Sequence, residues 1–276
     1  MDAAARRDRV AALFDQLAAG YDQGGVPWFT PIGSRLVELT RPRPGDRAVD
    51  IGSGRGAASF ALLAAVGPHG HVSAVDLSPF MVDRLRSEAD ERGITNLEAQ
   101  VGEASPGRLQ QASFDVGTAS LVLFFDPEPE RTFAGWLSLL RPGGRIGLST
   151  FGATDAAWTA AEAVLLRYAP PALLDARTSG RVGPFTSTAT MSTLFHSAGA
   201  LDVDSHDEPL EVVLPDAQAW RAWTMTLGLR QLWEAVPPAE LDCALAEITA
   251  ALEADRGSDG LLHLTQQVRY TIGTAP

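Results

Sequence analysis

The sequence predicts an α/β fold in which helices cover both faces of a mostly parallel β-sheet. Between residues 46 and 151, short apolar runs alternate with helical patterns, as expected for strands that are joined by crossover helices. The first apolar run ends in a turn that contains Gly52, Gly54 and Gly56, and a helix of small residues begins there. Ligands of such sheets bind beyond the carboxyl ends of the strands, so we expect a site beside the first strand.

The elements of this central part follow one another at regular intervals. We predict strands at 47–51, 71–76, 97–101, 114–119 and 145–150. We predict the helices that connect them at 56–66, 79–91 and 129–140. The run Arg141-Pro142-Gly143-Gly144 predicts a turn before the last of these strands.

The flanking regions do not continue this regular alternation of strands and helices. Apolar residues at helical spacing predict an N-terminal helix at 3–19. Beyond Phe151 we predict helices at 156–169, 188–198, 216–230 and 238–254, and strands near 209–214 and 262–272. The chain thus divides into an N-terminal helical lid (1–45), a ligand-binding core (46–151), a helical cap (152–190) and a C-terminal part that completes the sheet (191–276).

Composition and charge exclude several classes of partner. The 276 residues carry a net charge of −12, which disfavours nucleic acids and anionic membranes, since both require basic surfaces. The single cysteine, Cys243, excludes a disulfide framework within the chain, and we expect no metal site. Arginines interrupt the N-terminal residues where a signal peptide would be apolar, so we expect a cytoplasmic protein. The oligomeric state stays open.

Two carboxylates indicate which kind of cofactor the glycine-rich turn binds. Asp76 follows Gly56 by 20 residues, at the end of the second strand, where a carboxylate accepts hydrogen bonds from a ribose diol. The spacing also fits a dinucleotide pattern, but Asp50 lies just before the turn and would repel a pyrophosphate. A cofactor with an ammonium and a sulfonium group would be attracted instead, which favours S-adenosylmethionine (SAM).

Five motifs occur in a characteristic order and spacing. They are V-D-I-G-S-G-R-G at 49–56, V-D-L-S at 75–78, V-G-E-A at 101–104, F-D-V at 114–116 and L-R-P-G-G-R at 140–145. In this respect the chain resembles the class I SAM-dependent methyltransferases, and among them the ubiquinone/menaquinone-type and natural-product branch that acts on small molecules. The resemblance covers about residues 14–151. It implies a Rossmann-like sheet of seven strands, the last of them antiparallel, with a helical cap.

The resemblance also implies which residues bind the cofactor. Backbone groups of the glycine turn would line the methionyl portion, Asp50 would attract the ammonium, and Asp76 would hold the ribose. Glu103 stands where the family often has aspartate, and it or its backbone N–H would contact the adenine. The full predicted set is Tyr21, Asp50, Gly52, Ser53, Gly54, Asp76, Leu77, Met81, Gly102, Glu103, Ala104, Ala119 and Ser120.

The acceptor is predicted less directly. Phe124 and Phe125 replace two histidines of many relatives, which makes that wall apolar, although one ring can equally serve the core. We predict substrate contacts from Trp28, Phe124 and Trp158, because aromatic walls favour flat apolar ligands. No catalytic base is identified; His263 qualifies only if it faces the pocket.

The expected activity is SAM-dependent methylation of a small, largely apolar or aromatic metabolite, at oxygen rather than at carbon or nitrogen. Methyl transfer needs alignment of the acceptor with the sulfonium methyl more than it needs acid or base groups. Two alternatives stay open at this point: a SAM-binding protein of the same fold that catalyses another reaction, such as a cyclisation, and a non-catalytic SAM-binding subunit.

Overall fold

A computed structural model describes residues 10–12, 14–15, 25–105, 108–170 and 182–276. The strands are β1 (Arg47–Ile51), β2 (His71–Asp76), β3 (Leu97–Val101), β4 (Phe114–Ser120), β5 (Leu140–Thr154), β6 (Leu201–Leu214) and β7 (Leu262–Thr274). The helices are α1 (Phe29–Thr40), α2 (Ala57–Val66), α3 (Pro79–Glu91), α4 (Pro129–Leu137), α5 (Ala156–Leu166), α6 (Thr188–Ser197), α7 (Ala217–Thr224), α8 (Arg230–Ala235) and α9 (Leu241–Leu252). Short 3₁₀ turns lie at Leu123–Phe125, Gly183–Thr186, Pro238–Glu240 and Glu253–Asp255.

The seven strands form one sheet in the order β3-β2-β1-β4-β5-β7-β6. β1 to β5 are parallel, whereas β7 runs antiparallel to both β5 and β6. The strand order reverses between β1 and β4, which creates a crevice at the carboxyl ends of these strands. The predicted fold class, a mostly parallel Rossmann-like sheet with helices, is confirmed.

The central strands form because both of their faces are covered. Residues 48–51 of β1 and 114–119 of β4 are buried, as expected for strands between two layers of helices. On one side α1 packs so closely on α2 that a Cβ atom at Gly33 would lie 2.8 Å from the backbone of Ala57. Close helix packing of this kind holds the start of α2 in place behind the glycine turn.

Side-chain caps fix where several helices begin. The Ser78 hydroxyl accepts a hydrogen bond from the Met81 backbone N–H (3.1 Å) and starts α3, with Pro79 at the first helical position. Asp155 caps α5 by accepting from the Trp158 N–H at 2.7 Å. Ser187 and Thr190 form a capping box at the start of α6. The cap at Ser78 places α3 directly after the acidic end of β2.

The structure differs from the predicted elements mainly in the C-terminal half. β6 begins at Leu201 rather than near 209, because as an edge strand it pairs only with β7 and tolerates polar residues. The predicted turn at 141–144 lies within β5, where Gly143 has a φ of 78°. The predicted helix at 216–230 is interrupted and continues as α8. Most of the predicted N-terminal helix lies outside the described residues.

An ion pair between a buried arginine and an exposed aspartate joins the two C-terminal strands to the segment before α6. The Arg269 guanidinium, 5% exposed, donates to both carboxylate oxygens of Asp207 at 2.8 Å and to the Phe185 carbonyl at 2.8 Å. Arg269 and Asp207 lie opposite each other on β7 and β6. Across the described chain we find no helix with the length and apolar character that a membrane crossing requires.

Candidate active site

A cavity of about 650 Å³ opens at the carboxyl ends of β1, β2 and β4, where the strand order reverses. Its walls come from the turn after β1, the end of β2, the loop after β3, the loop after β4 and one side of α4. The lining residues are Val10, Phe14, Ile51, Gly52, Gly54, Val75, Asp76, Leu77, Gly102, Glu103, Ala104, Ser105, Ser120, Leu121, Val122, Phe125, Asp126, Pro127, Glu128, Arg131, Thr132, Gly135 and Trp136.

The glycine turn forms the floor of this cavity. Gly52, Gly54 and Gly56 have φ values of 65°, 52° and 97°, a backbone conformation that side chains disfavour. A Cβ atom at Gly52 would lie 2.3 Å from the Val122 side chain, so only glycine leaves room for the loop after β4. The N–H groups of Gly52 and Ser53 both donate to the Val75 carbonyl, at 2.8 and 3.1 Å. The turn is therefore fastened to β2.

Asp76 stands at the end of β2 and faces the cavity. One carboxylate oxygen accepts from the Gly54 N–H (2.8 Å) and the other from the Ser78 N–H (2.9 Å). Burial raises the pKa of Asp76, and these two hydrogen bonds oppose that rise. Because a carboxylate offers about four acceptor positions, two remain for hydroxyl groups of a ligand. The contact of Asp76 with a ribose stays a prediction.

Asp50 lies deeper, and its side chain is outside the cavity lining. It is 1% exposed and accepts hydrogen bonds from the hydroxyls of Ser59 (2.5 Å) and Thr118 (2.9 Å). Burial raises the pKa of Asp50 to about 6, and the two hydroxyl donors oppose the rise. Asp50 thus joins β1 to α2 and β4, and any attraction that it exerts on a bound cation acts from behind the turn.

The remaining predicted cofactor residues divide between the lining and the layer beneath it. Leu77, Gly102, Glu103, Ala104 and Ser120 line the cavity. Three others are buried and outside the lining: Ser53, Met81 and Ala119. The Ser53 hydroxyl is buried and has no hydrogen-bond partner among the described residues. An unpartnered polar atom beside the glycine turn fits a site that is completed by a polar ligand.

Two residues near the N-terminus cover part of the cavity. Val10 and Phe14 line it, and the Phe14 ring contacts Phe125 edge-on with 5.4 Å between the ring centroids. Tyr21, the first residue of the predicted cofactor-binding set, lies outside the described residues, so its role stays a prediction.

The three residues predicted to contact the acceptor lie in the aromatic core and outside the lining of this cavity. Trp28, Phe124 and Trp158 are each at most 3% exposed. Trp28 contacts Trp158 and Trp223 with centroid distances of 5.8 and 5.2 Å. Of the two adjacent phenylalanines, Phe125 faces the cavity and Phe124 packs against it at 4.6 Å. The predicted substrate contacts would require these rings to become accessible.

Polar groups that commonly serve as bases or metal ligands lie elsewhere. All five histidines are in the described part of the chain, and none lines the cavity. His263 binds Glu211 (2.9 Å) and Asp259 (3.0 Å) at the surface, so it does not face the pocket. Within the ranges that the structure describes, no cluster of histidine, cysteine and acidic residues suits a metal ion.

Sequence reasoning missed one wall of the cavity, which α4 and the loop before it provide. Asp126, Glu128, Arg131 and Trp136 lie there, in a region where the sequence carries no motif. Leu121 in the same wall has a φ of 58°, which is costly for a leucine. Its N–H donates to the Ser149 carbonyl at 3.0 Å, and the Ser120 and Ser149 hydroxyls lie 2.9 Å apart. Pairing of β4 with β5 therefore stabilises the strained loop.

Comparison with known proteins finds methyltransferases among the relatives of this chain. A family model described as a methyltransferase domain matches residues 42–178. The chain is 34% identical to nocamycin O-methyltransferase of Saccharothrix syringae over 273 residues, which are 95% of this chain and 96% of that protein. It is 38% identical to aklanonic acid methyltransferase DauC of Streptomyces sp. strain C5 over 144 residues, 52% of this chain and 66% of that one.

The fold agrees with a solved structure at lower sequence identity. The YcgJ protein of Bacillus subtilis aligns with 88% of this chain and 97% of its own, with a TM-score of 0.58 and 17% identity. The non-methylating alternatives are not favoured, because the relative that matches along nearly the whole chain and the relative that matches about half of it are both methyltransferases. The chain belongs to the SAM-dependent methyltransferases that act on small molecules.

Proposed function

We propose that this enzyme transfers a methyl group from SAM to an oxygen atom of a small, largely apolar or aromatic natural product, within the cavity at the ends of β1, β2 and β4. The observation that carries the proposal is the arrangement of Asp76, Gly54 and the glycine turn at the reversal of strand order. It offers a carboxylate with acceptor positions that remain for hydroxyl groups, in a cavity of sufficient size.

One half of the cavity, here called the cofactor half, is acidic, and each of its residues is assigned to a part of SAM. Asp76 would hold the ribose hydroxyls, and Leu77, Gly102, Glu103 and Ala104 would surround the adenosine. The turn at 52–54 would bind the methionyl portion, with Asp50 adding a favourable field from behind. A positively charged ligand suits this half, because carboxylates outnumber cations along the wall.

The acceptor half is assigned from the walls that remain. Leu121, Val122, Phe125 and Trp136 supply apolar surface, and Arg131 lies among carboxylates on α4 and the loop before it. The preference for oxygen rests on the relative that matches along nearly the whole chain, which is an O-methyltransferase. The preference for a natural product rests on the same protein and on the aklanonic acid enzyme.

The chain's contribution to the reaction is alignment and exclusion of water. SAM supplies a methyl group that is already activated by its positive sulfur, so the protein must hold the acceptor oxygen in line with it. The apolar wall and the cover from Phe14 reduce contact of the reacting atoms with water. An acidic acceptor hydroxyl requires no base from the protein.

Calorimetric titration with SAM and with S-adenosylhomocysteine tests the cofactor assignment. We expect micromolar binding by the wild type and at least a tenfold loss in Asp76→Ala, since the variant lacks the acceptor of the ribose hydroxyls. Asp83→Ala serves as the matched control, because its carboxylate is 72% exposed on α3. A folded wild type that binds neither ligand would contradict the proposal.

An acceptor screen then tests the reaction itself. Phenols, quinones and polyketide-like compounds are incubated with the full chain and SAM, and formation of S-adenosylhomocysteine is measured together with the mass of the product. Transfer to carbon or nitrogen in place of oxygen would overturn the preference for O-methylation and leave the cofactor assignment intact.

A further inference from the structure

Residues 10–12 and 14–15, here called the cover segment, are helical and lie across one side of the cavity. Two contacts fasten them. Phe14 meets the Phe125 ring edge-on at 5.4 Å. The Asp15 carboxylate accepts a hydrogen bond from the Ser78 hydroxyl. The first contact reaches the loop after β4 and the second reaches the start of α3, so the segment bridges two walls of the site.

Ser78 connects Asp15 to the predicted ribose carboxylate. Its backbone N–H donates to Asp76 at 2.9 Å, while its hydroxyl accepts from the Met81 N–H at 3.1 Å and donates to Asp15. The Ser78 side chain is fully buried, so water does not replace this contact easily. A single residue therefore carries the helix cap, one hydrogen bond to Asp76 and the attachment of the cover segment.

The charges at this position also point to a ligand. The Asp15 carboxylate is close enough to Asp76 to contribute to the rise of the pKa of Asp76, after the larger effect of burial. Neighbouring carboxylates repel each other unless donors or a cation lie near them. A ligand with a diol and a positive charge supplies such groups.

We propose that Asp15 is a positioning residue of the cofactor site, which fastens the cover segment over the ribose end of the cavity through Ser78. The inference rests on the proposed function, because it takes the ligand to be SAM or S-adenosylhomocysteine. Asp15 itself acts through Ser78 and Asp76 and does not need to touch the cofactor. With the segment fastened, Phe14 and Val10 close one side of the cavity against water.

Substitutions at Asp15 test this role through the affinity for S-adenosylhomocysteine, which a change in general stability does not alter. Asp15→Ala removes the acceptor, and we expect S-adenosylhomocysteine to bind about tenfold more weakly, the order of effect of one hydrogen bond. Asp15→Asn keeps an oxygen acceptor for Ser78 and removes the repulsion of Asp76, so its affinity should stay within about twofold of the wild type. Asp83→Ala controls for the loss of one surface carboxylate near α3.

The melting temperature is measured with and without ligand for each variant. Without ligand, Asp15→Ala should melt close to Asp83→Ala, while the rise on adding S-adenosylhomocysteine should shrink only in Asp15→Ala. Phe14→Ala removes the contact between the cover segment and the Phe125 ring, and it should also weaken binding of S-adenosylhomocysteine.

The outcomes separate this inference from the proposed function. If the wild type binds neither ligand, the proposed function fails and this inference with it. If the wild type binds and Asp15→Ala binds equally well, only the role of Asp15 is overturned. Equal losses in Asp15→Ala and Asp15→Asn would overturn the hydrogen bond to Ser78 as its cause.

Discussion

At the scale of single residues, burial of Asp50 disfavours the ionised carboxylate that would attract a cationic cofactor. Its carboxylate is enclosed between β1, α2 and β4, and it accepts hydrogen bonds from the hydroxyl groups of Ser59 and Thr118. Burial raises its pKa from 3.8 to about 6, so between these values the folded chain binds more protons at this site than the unfolded chain does. The stability that Asp50 contributes is therefore present at low pH and is lost as pH rises through about 6.

The variant Asp50→Asn isolates this effect. Relative to the wild type, the variant should gain in free energy of unfolding as pH rises from about 4 to about 7, by at most about 3 kcal/mol, because an amide carries no buried charge. Urea unfolding of both proteins at intervals of pH measures the difference. Asp83→Asn, with an exposed side chain, should follow the wild type. Parallel curves for Asp50→Asn and the wild type would show that the carboxylate titrates alike in both states.

A bound cation changes the same equilibrium. Positive charge near Asp50 and Asp76 favours their ionised forms, so SAM should bind more tightly as pH rises through about 6 and should release protons as it binds. Titration calorimetry in two buffers with different ionisation enthalpies measures that release. In Asp50→Asn the release at pH 6 should fall. Uptake of protons on binding would contradict the assignment of a cation to this half of the cavity.

At the scale of elements, the antiparallel pair β6–β7 depends on one buried arginine. Arg269 holds Asp207 on the neighbouring strand and the Phe185 carbonyl in the turn before α6. Arg269→Met leaves the buried Phe185 carbonyl without its donor, whereas the exposed Asp207 returns to water, so the variant should lower the free energy of unfolding by about 1–2 kcal/mol. Arg167→Met, which removes an exposed ion pair with Glu247, should stay close to the wild type in the same denaturant titration. Similar losses in both variants would refute a special role for Arg269.

The elements that could be predicted from sequence are those in which burial determines the pattern of apolar residues. β1 and β4 lie within a residue of their predicted bounds because both faces are covered and most of their residues are apolar or small. β6 could not be bounded, since an edge strand with exposed carboxylates resembles a loop. The wall from α4 carries no glycine or acidic signature, so only the three-dimensional arrangement places Arg131 and Trp136 at the cavity.

The candidate site follows the same division. Asp76 and the glycine turn were predictable, because a turn with positive φ values and a carboxylate at a strand end are local features. The partners of Asp50 were not, since Ser59 and Thr118 approach it from different elements. The burial of the tryptophans could not be predicted either. It follows from the contacts that Trp28, Trp158 and Trp223 make with one another, and these residues lie far apart in the sequence.

At the scale of the whole molecule, one large core joins parts of the chain that the sequence divides. The principal buried cluster includes Trp28, residues of β1 and β4, Trp158 and Trp223, and it extends to Ala275. The four predicted parts therefore share a hydrophobic interior, and we propose that they unfold together. Differential scanning calorimetry should show one transition with a ratio of calorimetric to van't Hoff enthalpy near one. Two resolved transitions would contradict a common core and would support an independent cap.

The outer strand β6 has a further consequence for the protein in concentrated solution. Among the described residues it pairs only with β7, which leaves an edge of 14 residues, long enough to template a strand from another molecule. Pro209 interrupts its row of N–H donors, and the exposed side chains of Asp202, Asp204 and Glu211 give every copy the same negative border. Two such edges repel each other before they can pair. The folded chain accordingly carries its own protection against growth into fibrils from this side.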